Sequence, residues 1–344
     1  MKTYHLTCST DNNYLQYCEV MLCSVFENNR DLTFHVHLLH SELTNESISS
    51  LTEFCHRYNE KISFYQIDDT MLKDVNRRDN SPVSIATYYR ILLPELLDQS
   101  IEKIFYLDCD VVVLGSIKPL YDINLDGYGV AAVKDASPYD SSHRKLMGHD
   151  LTNSAFCAGV MMINLDYWRK HNSKEALLEY SNTKQDKVYL EDQDALNYVF
   201  RNHWFQLPYK WARTPLSIGI VDQNMKRFDQ YEYAFSPRII HYAGPMKPWC
   251  DVWFPERKYY LHYLKISGIQ TPIVKKVDRS FKFRTYKNVL RYYFNRYVRP
   301  LVPDIVELLF KDILNLFKLL IYFLKGFKSL TRFLFNRWLD KYKI

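Results

Sequence analysis

Glycine is scarce: 9 in 344 residues, against 28 Tyr and 20 Phe. That balance excludes a low-complexity or disordered chain, and no internal repeat is present. Gly-x-Gly-x-x-Gly does not occur, so the fingerprint of a dinucleotide-binding turn is missing. The cysteines, at 8, 18, 23, 55, 109, 157 and 250, are odd in number and form no Cys-x-x-Cys pair. They read as neither a cysteine-ligated zinc site nor a disulfide framework, but as free thiols in a reducing compartment. Met1-Lys2 runs directly into strand-like residues, so we expect no signal peptide. The longest uninterrupted apolar run in the C-terminal part, 319–324, is far short of the ~20 residues that span a bilayer.

What is present supports a sizeable core: 47% of the residues are apolar, and the length suits one large domain or two ordinary ones. The net charge of +6 conceals an asymmetry. From Lys275 onward there are 17 Lys and Arg against 5 Asp and Glu, and the remainder carries 28 against 34. An acidic body with a basic tail points to two separate tasks.

The chain is organised around Ile104-Phe105-Tyr106-Leu107-Asp108-Cys109-Asp110-Val111-Val112-Val113. The first apolar run reads as a buried strand. Asp108 and Asp110 then sit where it leaves the core. Residues i and i+2 of a strand point the same way, so both carboxylates can face one point. A buried pair of like charges requires a cation. A hard divalent ion, Mn²⁺ or Mg²⁺, meets that need and would also hold a phosphate. An acidic surface turn is the alternative for these two residues considered alone.

Upstream, residues 4–8 read as a strand, 9–13 as a polar turn, and 14–26 as a helix with Leu15, Cys18, Met21, Leu22 and Val25 at helical spacing. Strand, polar loop and helix open an α/β nucleotide-binding unit, whose ligands sit beyond the carboxyl ends of the strands. Asp11 fits two roles, accepting the imide hydrogen of a uracil ring or capping the helix. Tyr14 could stack on such a ring. Strands over 34–40 and 62–67, with a helix over 41–58 between them, predict a mostly parallel central sheet flanked by helices. Residues 84–97 read as a helix interrupted at Pro94, on which Thr87 and Arg90 share a face. Arg90 could reach a phosphate or an acidic site residue, or form an ordinary surface ion pair.

Residues 130–133 and 156–165 read as further buried strands, the latter with small residues near its start that permit close approach of a ligand or tight packing. Glu191-Asp192-Gln193-Asp194 opens a helix. Its acids suit the positive helix N-terminus, and Asp192 or Asp194 could instead face a pocket. A strand ends at Ile239-Ile240 with His241 at its tip, a residue type that joins carboxylates on Mn²⁺-class ions. Gly244 lets backbone approach a phosphate, and Lys247 supplies a point charge for it.

Taken together and in order over residues 3–250, these pieces resemble glycosyltransferase family 8. The family includes bacterial lipopolysaccharide galactosyl- and glucosyltransferases and glycogenin. The matching residues are Ser9-Thr10-Asp11-Asn12-Asn13-Tyr14, Ser84 with Thr87 to Arg90, Tyr106 to Asp110, Ala158-Gly159-Val160 with Ile163-Asn164-Leu165, Asp192-Gln193-Asp194 with Leu196-Asn197, and His241-Tyr242-x-Gly244-Pro245-x-Lys247-Pro248-Trp249. The resemblance implies a GT-A fold over residues 1–270, a UDP-hexose donor (glucose or galactose), Mn²⁺ with Mg²⁺ as substitute, and a glycan or glycolipid acceptor. It implies that Asp108, Asp110 and His241 hold the metal, and that Asp11 and Tyr14 hold the uracil. Thr10, Asn13, Thr87 and Cys109 join the donor contacts. Gly244 and Lys247 would meet the diphosphate. Arg90, Asp135, Asp192 and Gln193 would meet the donor sugar. Gln193 lies where the family places its closest group to the reacting carbon. Retention is expected by same-face attack, with Asp194 or Asp192 as covalent nucleophile the second route.

Two positions depart from the family. Cys157 stands where Asn often precedes Ala-Gly-Val, and Pro82-Val83 stands where a His is often found.

The tail, 271–344, interleaves Lys and Arg with Tyr and Phe over 281–299. A long helix is expected from Asp304, with one narrow polar stripe. Such a cationic amphipathic helix fits an anionic membrane interface, at the cytoplasmic face of the cell membrane, and packing on a protein surface is the alternative. Nucleic acid is not expected as a partner, because no nucleic-acid-binding motif accompanies the charge. The chain therefore reads as a peripheral membrane enzyme of lipopolysaccharide or surface-glycan synthesis. A catalytically silent scaffold and a nucleotidyltransferase are the rival classes.

Overall fold

The structure, a computed structural model, describes residues 2–77, 83–135, 143, 155–183, 189–215, 236–270 and 272–294. The chain divides into two compact units, Met1–Val289 and Leu290–Ile344. The helix expected from Asp304 lies outside the described residues.

The first unit is α/β, as expected. Among the described residues seven strands form one sheet: β1 (Thr3–Ser9), β2 (Thr33–His40), β3 (Lys61–Gln66), β4 (Lys103–Leu107), β6 (Val130–Lys134), β7 (Phe156–Asn164) and β8 (Trp204–Leu207), in the order β3-β2-β1-β4-β7-β6-β8. β1 pairs in parallel with β2 and β4, β2 with β3, and β6 with β8, while β7 runs antiparallel between β4 and β6. A separate antiparallel ribbon joins β5 (Val111–Val113) to β9 (Ile239–His241).

Both faces of the sheet are buried. Alternate side chains of one strand enter different cores, because successive strand residues point to opposite faces. Phe105 and Leu107 of β4 join Val160 and Met162 of β7 on the face covered by the helix Leu15–Glu27. Ile104 and Tyr106 join Met161 and Ile163 on the other, under Trp168 and Leu196. Fully burying a side chain such as Phe105 or Met162 contributes about 1.5–3 kcal/mol.

Local chemistry sets the element ends. The helix expected over 41–58 begins at Asn45, because the Thr44 side chain accepts a hydrogen bond from the Ser47 N–H (3.1 Å) and caps it. The segment expected as a helix over 84–97 is a 3₁₀ helix, Ile85–Leu92, followed by a short α-helix, Leu93–Leu96. Pro94 sits in the first turn of that short helix, where its missing N–H costs nothing. Side chains three apart eclipse on a 3₁₀ helix, which brings Arg90 Nη2 within 3.0 Å of Thr87 Oγ1.

Candidate active site

The carboxyl end of β4 sets the site. Tyr106, on β4, and Asp108, just beyond it, point the same way, and the Tyr106 hydroxyl donates to Asp108 Oδ1 at 2.9 Å. The chain turns at Asp108–Asp110 and enters β5, whose partner β9 pairs Val111 with His241. The Tyr242 N–H donates to the Asp110 carbonyl at 2.9 Å. This pairing across some 130 residues of sequence delivers His241 to the two acids. His241 Nε2 lies 3.1 Å from Asp110 Oδ1 and 3.6 Å from Asp108 Oδ2. One ligand atom from each of Asp108, Asp110 and His241 lies within 4.8 Å of the others.

β7 forms the floor. The Asp108 N–H donates to the Gly159 carbonyl at 2.9 Å. A Cβ on Gly159 would collide with the His241 ring and lie 2.6 Å from Asp108 Oδ2. The small residue is required because two candidate ligand side chains rest on it. Its neighbour Cys157 places Sγ 3.2 Å from Nδ1 of His241, the ring nitrogen opposite the one that meets the acids. Two carboxylate oxygens and one imidazole nitrogen, converging over a glycine, are the donor set of a Mn²⁺ or Mg²⁺ class ion. The residues present therefore fit a divalent metal.

Electrostatics bind the group further. Lys247 Nζ donates to Asp110 Oδ2 and, at 3.0 Å, to the Tyr242 carbonyl. Burial would raise the Asp110 carboxyl, yet Lys247 and His241 hold it well below the usual carboxylate range. Burial would likewise lower His241 and Lys247. Asp110 raises both instead, with Cys157 adding to the effect on His241.

Arg90 anchors the other side. It is 2% exposed, so the surface ion pair considered from the sequence does not form; the helix that carries it packs against the sheet. Its guanidinium lies 2.9 Å from Asp108 Oδ1 and 3.0 Å from Asp192 Oδ2. It donates to the Ala158 carbonyl at 2.6 Å and sits 3.8 Å from the Tyr106 ring centroid. The Thr87 hydroxyl donates to Asp192 Oδ1 at 2.5 Å. Burial raises the Asp192 carboxyl to about 6 despite Arg90 and Thr87.

The helix Asp192–Phe200 presents Gln193 beside this group. Its amide oxygen accepts from the Ala158 N–H at 2.9 Å, and its Nε2 donates to Asp135 Oδ2 at 3.0 Å. Asp194 turns elsewhere. It accepts from the Tyr189 and Leu190 N–H groups at 2.8 and 3.0 Å and meets His143 Nε2 at 2.7 Å. Both its oxygens are engaged away from the acidic pair.

The loop after β1 completes the rim. Asp11 accepts from the Asn13 and Tyr14 N–H groups at 2.9 and 3.0 Å, which closes the turn before the helix; the helix itself begins after Tyr14 with no side-chain cap, so the capping role expected for Asp11 is not taken up. The Thr10 N–H donates to the Leu39 carbonyl at 3.0 Å, and Cys109 Sγ donates to the Ser9 carbonyl at 3.2 Å, which ties this loop to the acidic turn. The Tyr14 ring is half-exposed, edge-on to a Trp249 ring that stacks on Tyr17 at 3.7 Å. Gly244 has φ +80°, with open space where a side chain would stand. Tyr106 falls within a family motif and Cys157 departs from one, but the sequence assigns neither a contact. Tyr106 stands two before Asp108 on one strand, whereas the partner of Cys157 arrives on β9.

The family model described as glycosyl transferase family 8 matches residues 5–252. General stress protein A of Bacillus subtilis is 30% identical over 78% of this chain and 95% of its own length. A lipopolysaccharide 1,2-glucosyltransferase of Escherichia coli is 29% identical over 84% of this chain and 86% of its own. Among solved structures, the galactosyltransferase LgtC, in complex with donor and acceptor sugar analogs, superposes with a TM-score of 0.68 at 22% identity. That match covers 81% of this chain and 99% of LgtC, and it identifies the fold as GT-A.

Proposed function

The chain belongs to glycosyl transferase family 8, and from that premise we propose that it is a retaining, metal-dependent hexosyltransferase. It moves glucose or galactose from a UDP-sugar to a lipid-linked glycan of lipopolysaccharide or another surface polysaccharide. The observation that carries this reading is the convergence of Asp108, Asp110 and His241 over Gly159. The E. coli relative, named for lipopolysaccharide glucosylation, and the sugar analogs bound to LgtC support the donor and acceptor classes.

The residues divide the work. A divalent ion held by Asp108, Asp110 and His241 would supply positive charge to the leaving diphosphate as the glycosidic C–O bond breaks. Lys247, already against Asp110, adds a second positive charge where negative charge develops. Tyr14 offers a half-exposed ring to the uracil, and Gly244 leaves its backbone open to phosphate. Asp135 and Gln193 hold each other at the position for the donor sugar.

Same-face attack is favoured over a covalent intermediate. Both oxygens of Asp194 are engaged. Asp192 is 3% exposed and fixed by Thr87 and Arg90. The Gln193 amide is a poor nucleophile. In this route the departing phosphate oxygen takes the acceptor's proton.

Attachment to an anionic membrane through 271–344 is part of the proposal. The helix Arg279–Tyr293 exposes Phe283 (68%) and Tyr286 (46%) among Lys282, Arg284 and Lys287, the character of an interfacial helix. Among the described residues no helix is long and apolar enough to cross a membrane.

The test is UDP release from a panel of UDP-sugars, with Mn²⁺ or EDTA. Turnover of one UDP-hexose with release of the α-configured free sugar is expected. Turnover without Mn²⁺, or an inverted product, would overturn this reading.

A further inference from the structure

Among the described residues a second group of three side chains is placed to share an ion: His5 on β1 with His35 and His37 on β2. The parallel register sets His5 beside His35, and Thr7 beside His37. The two-residue period of a strand then puts all three imidazoles on one face. One ring nitrogen from each lies within 4.8 Å of the others. His5 Nδ1 and His37 Nε2 face each other at 3.0 Å. The edge of a tetrahedral site with metal–nitrogen bonds of 2.0–2.1 Å is about 3.3–3.4 Å, so these two rings, now hydrogen-bonded to each other, need separate by only a few tenths of an ångström to share an ion.

The surroundings suit coordination. Strands of a parallel sheet buried on both faces normally read as continuous apolar runs. Here Leu6, Phe34, Val36 and Leu38 fill one face while histidines take the alternate positions. Hydroxyls from β3 meet the outer ring nitrogens: Tyr65 OH lies 3.0 Å from His37 Nδ1, and Ser63 Oγ lies 2.8 Å from His35 Nε2. Such partners fix ring orientation and tautomer in metal-bound histidines. Burial lowers His5, takes His35 down to about 4 and His37 down to about 3, so the imidazole lone pairs are unprotonated at neutral pH. Lys61 is the opposing charge.

We propose that His5, His35 and His37 form a second metal site, for a nitrogen-preferring divalent ion of the Zn²⁺, Co²⁺ or Ni²⁺ class, that ties β1 to β2. No carboxylate belongs to the group, so hard ions such as Mn²⁺ prefer the acidic site and the two sites sort metals by ligand type.

The test titrates Co²⁺ into the full-length chain carrying Asp110→Ala, which weakens the acidic site, and follows visible absorption. One equivalent with nitrogen-ligated bands is expected. On the same background His5→Gln should abolish those bands, and Tyr65→Phe, which keeps the ring, should weaken binding roughly 10–100-fold. Lys61→Gln should tighten it. In an otherwise native chain His5→Gln should leave Mn²⁺-dependent UDP binding unchanged, with circular dichroism as the folding control. Absence of Co²⁺ binding to the Asp110→Ala chain would overturn the proposal. So would bands that persist in His5→Gln, and either result would leave the transferase reading standing.

Discussion

Cys157 Sγ stands 3.2 Å from Nδ1 of His241, behind the ring whose Nε2 meets Asp110. A metal-binding histidine is oriented by the partner on its other nitrogen. At this position the thiol acts where the family often carries an asparagine side chain. Cys157→Ala should therefore weaken Mn²⁺ binding roughly 10–100-fold, while Cys157→Asn and Cys157→Ser should retain most of it. Calorimetric Mn²⁺ titration of the three variants checks this. Equal affinity in the alanine variant and the native chain would show that Cys157 does not position His241.

Gly159 is the floor beneath two candidate ligands, and one methyl group there displaces both His241 and Asp108. Gly159→Ala should abolish Mn²⁺ binding while costing about 1–3 kcal/mol of stability, the usual range for overpacking. Metal titration beside thermal unfolding separates the two effects. A folded variant with native Mn²⁺ affinity would contradict the placement of the site.

Arg90 neutralises Asp108 and Asp192 in a setting where it is itself 2% exposed. Removing one member of a buried charge group leaves the rest uncompensated, at about 3–5 kcal/mol. Arg90→Ala should lose that much in denaturant unfolding. Arg90→Lys should recover little, because an ammonium cannot reach Asp108, Asp192, Thr87 and the Ala158 carbonyl together. An unchanged unfolding midpoint for Arg90→Lys would refute the bridging role.

The histidine group gives a pH dependence that does not involve the reaction. His35 and His37 are lowered from 6.5 to about 4 and about 3 by burial. Below pH 6.5 the unfolded chain binds protons that the folded chain refuses, so stability falls as pH drops from 6.5 toward those values. In buffer with EDTA, the loss of unfolding midpoint between pH 7 and pH 4.5 should be smaller in His37→Gln than in the native chain. Identical slopes would place these rings in ordinary solvent.

The sequence carried the parts of the site that depend on local periodicity. Asp108 and Asp110 were legible because an apolar strand runs into them, and Thr87 with Arg90 because they stand one turn apart. The sheet's parallel half followed from alternating strands and helices. What was not legible depends on pairings distant in the chain. The ribbon that sets His241 beside Val111 joins segments whose sequences show no sign of each other. The burial of Arg90 depends on packing against the sheet, which a charged residue does not announce. Asp194, expected among the reacting groups, instead meets backbone N–H groups and His143, because the turn before its helix curls back over the carboxylate. His35 and His37 share a face of β2 through their two-residue spacing, but nothing local marks His5 as their partner. Only the register of β1 on β2 brings it to them.

The central claim is that Asp108, Asp110 and His241 hold the ion that holds the donor's diphosphate. Calorimetric titration of UDP into the full-length chain, with and without Mn²⁺, tests it most directly when repeated on Asp110→Asn, which keeps the shape and removes the charge. The account predicts UDP binding that requires Mn²⁺ in the native chain and is lost in Asp110→Asn. UDP binding of equal strength with EDTA, or retained in Asp110→Asn, would contradict it.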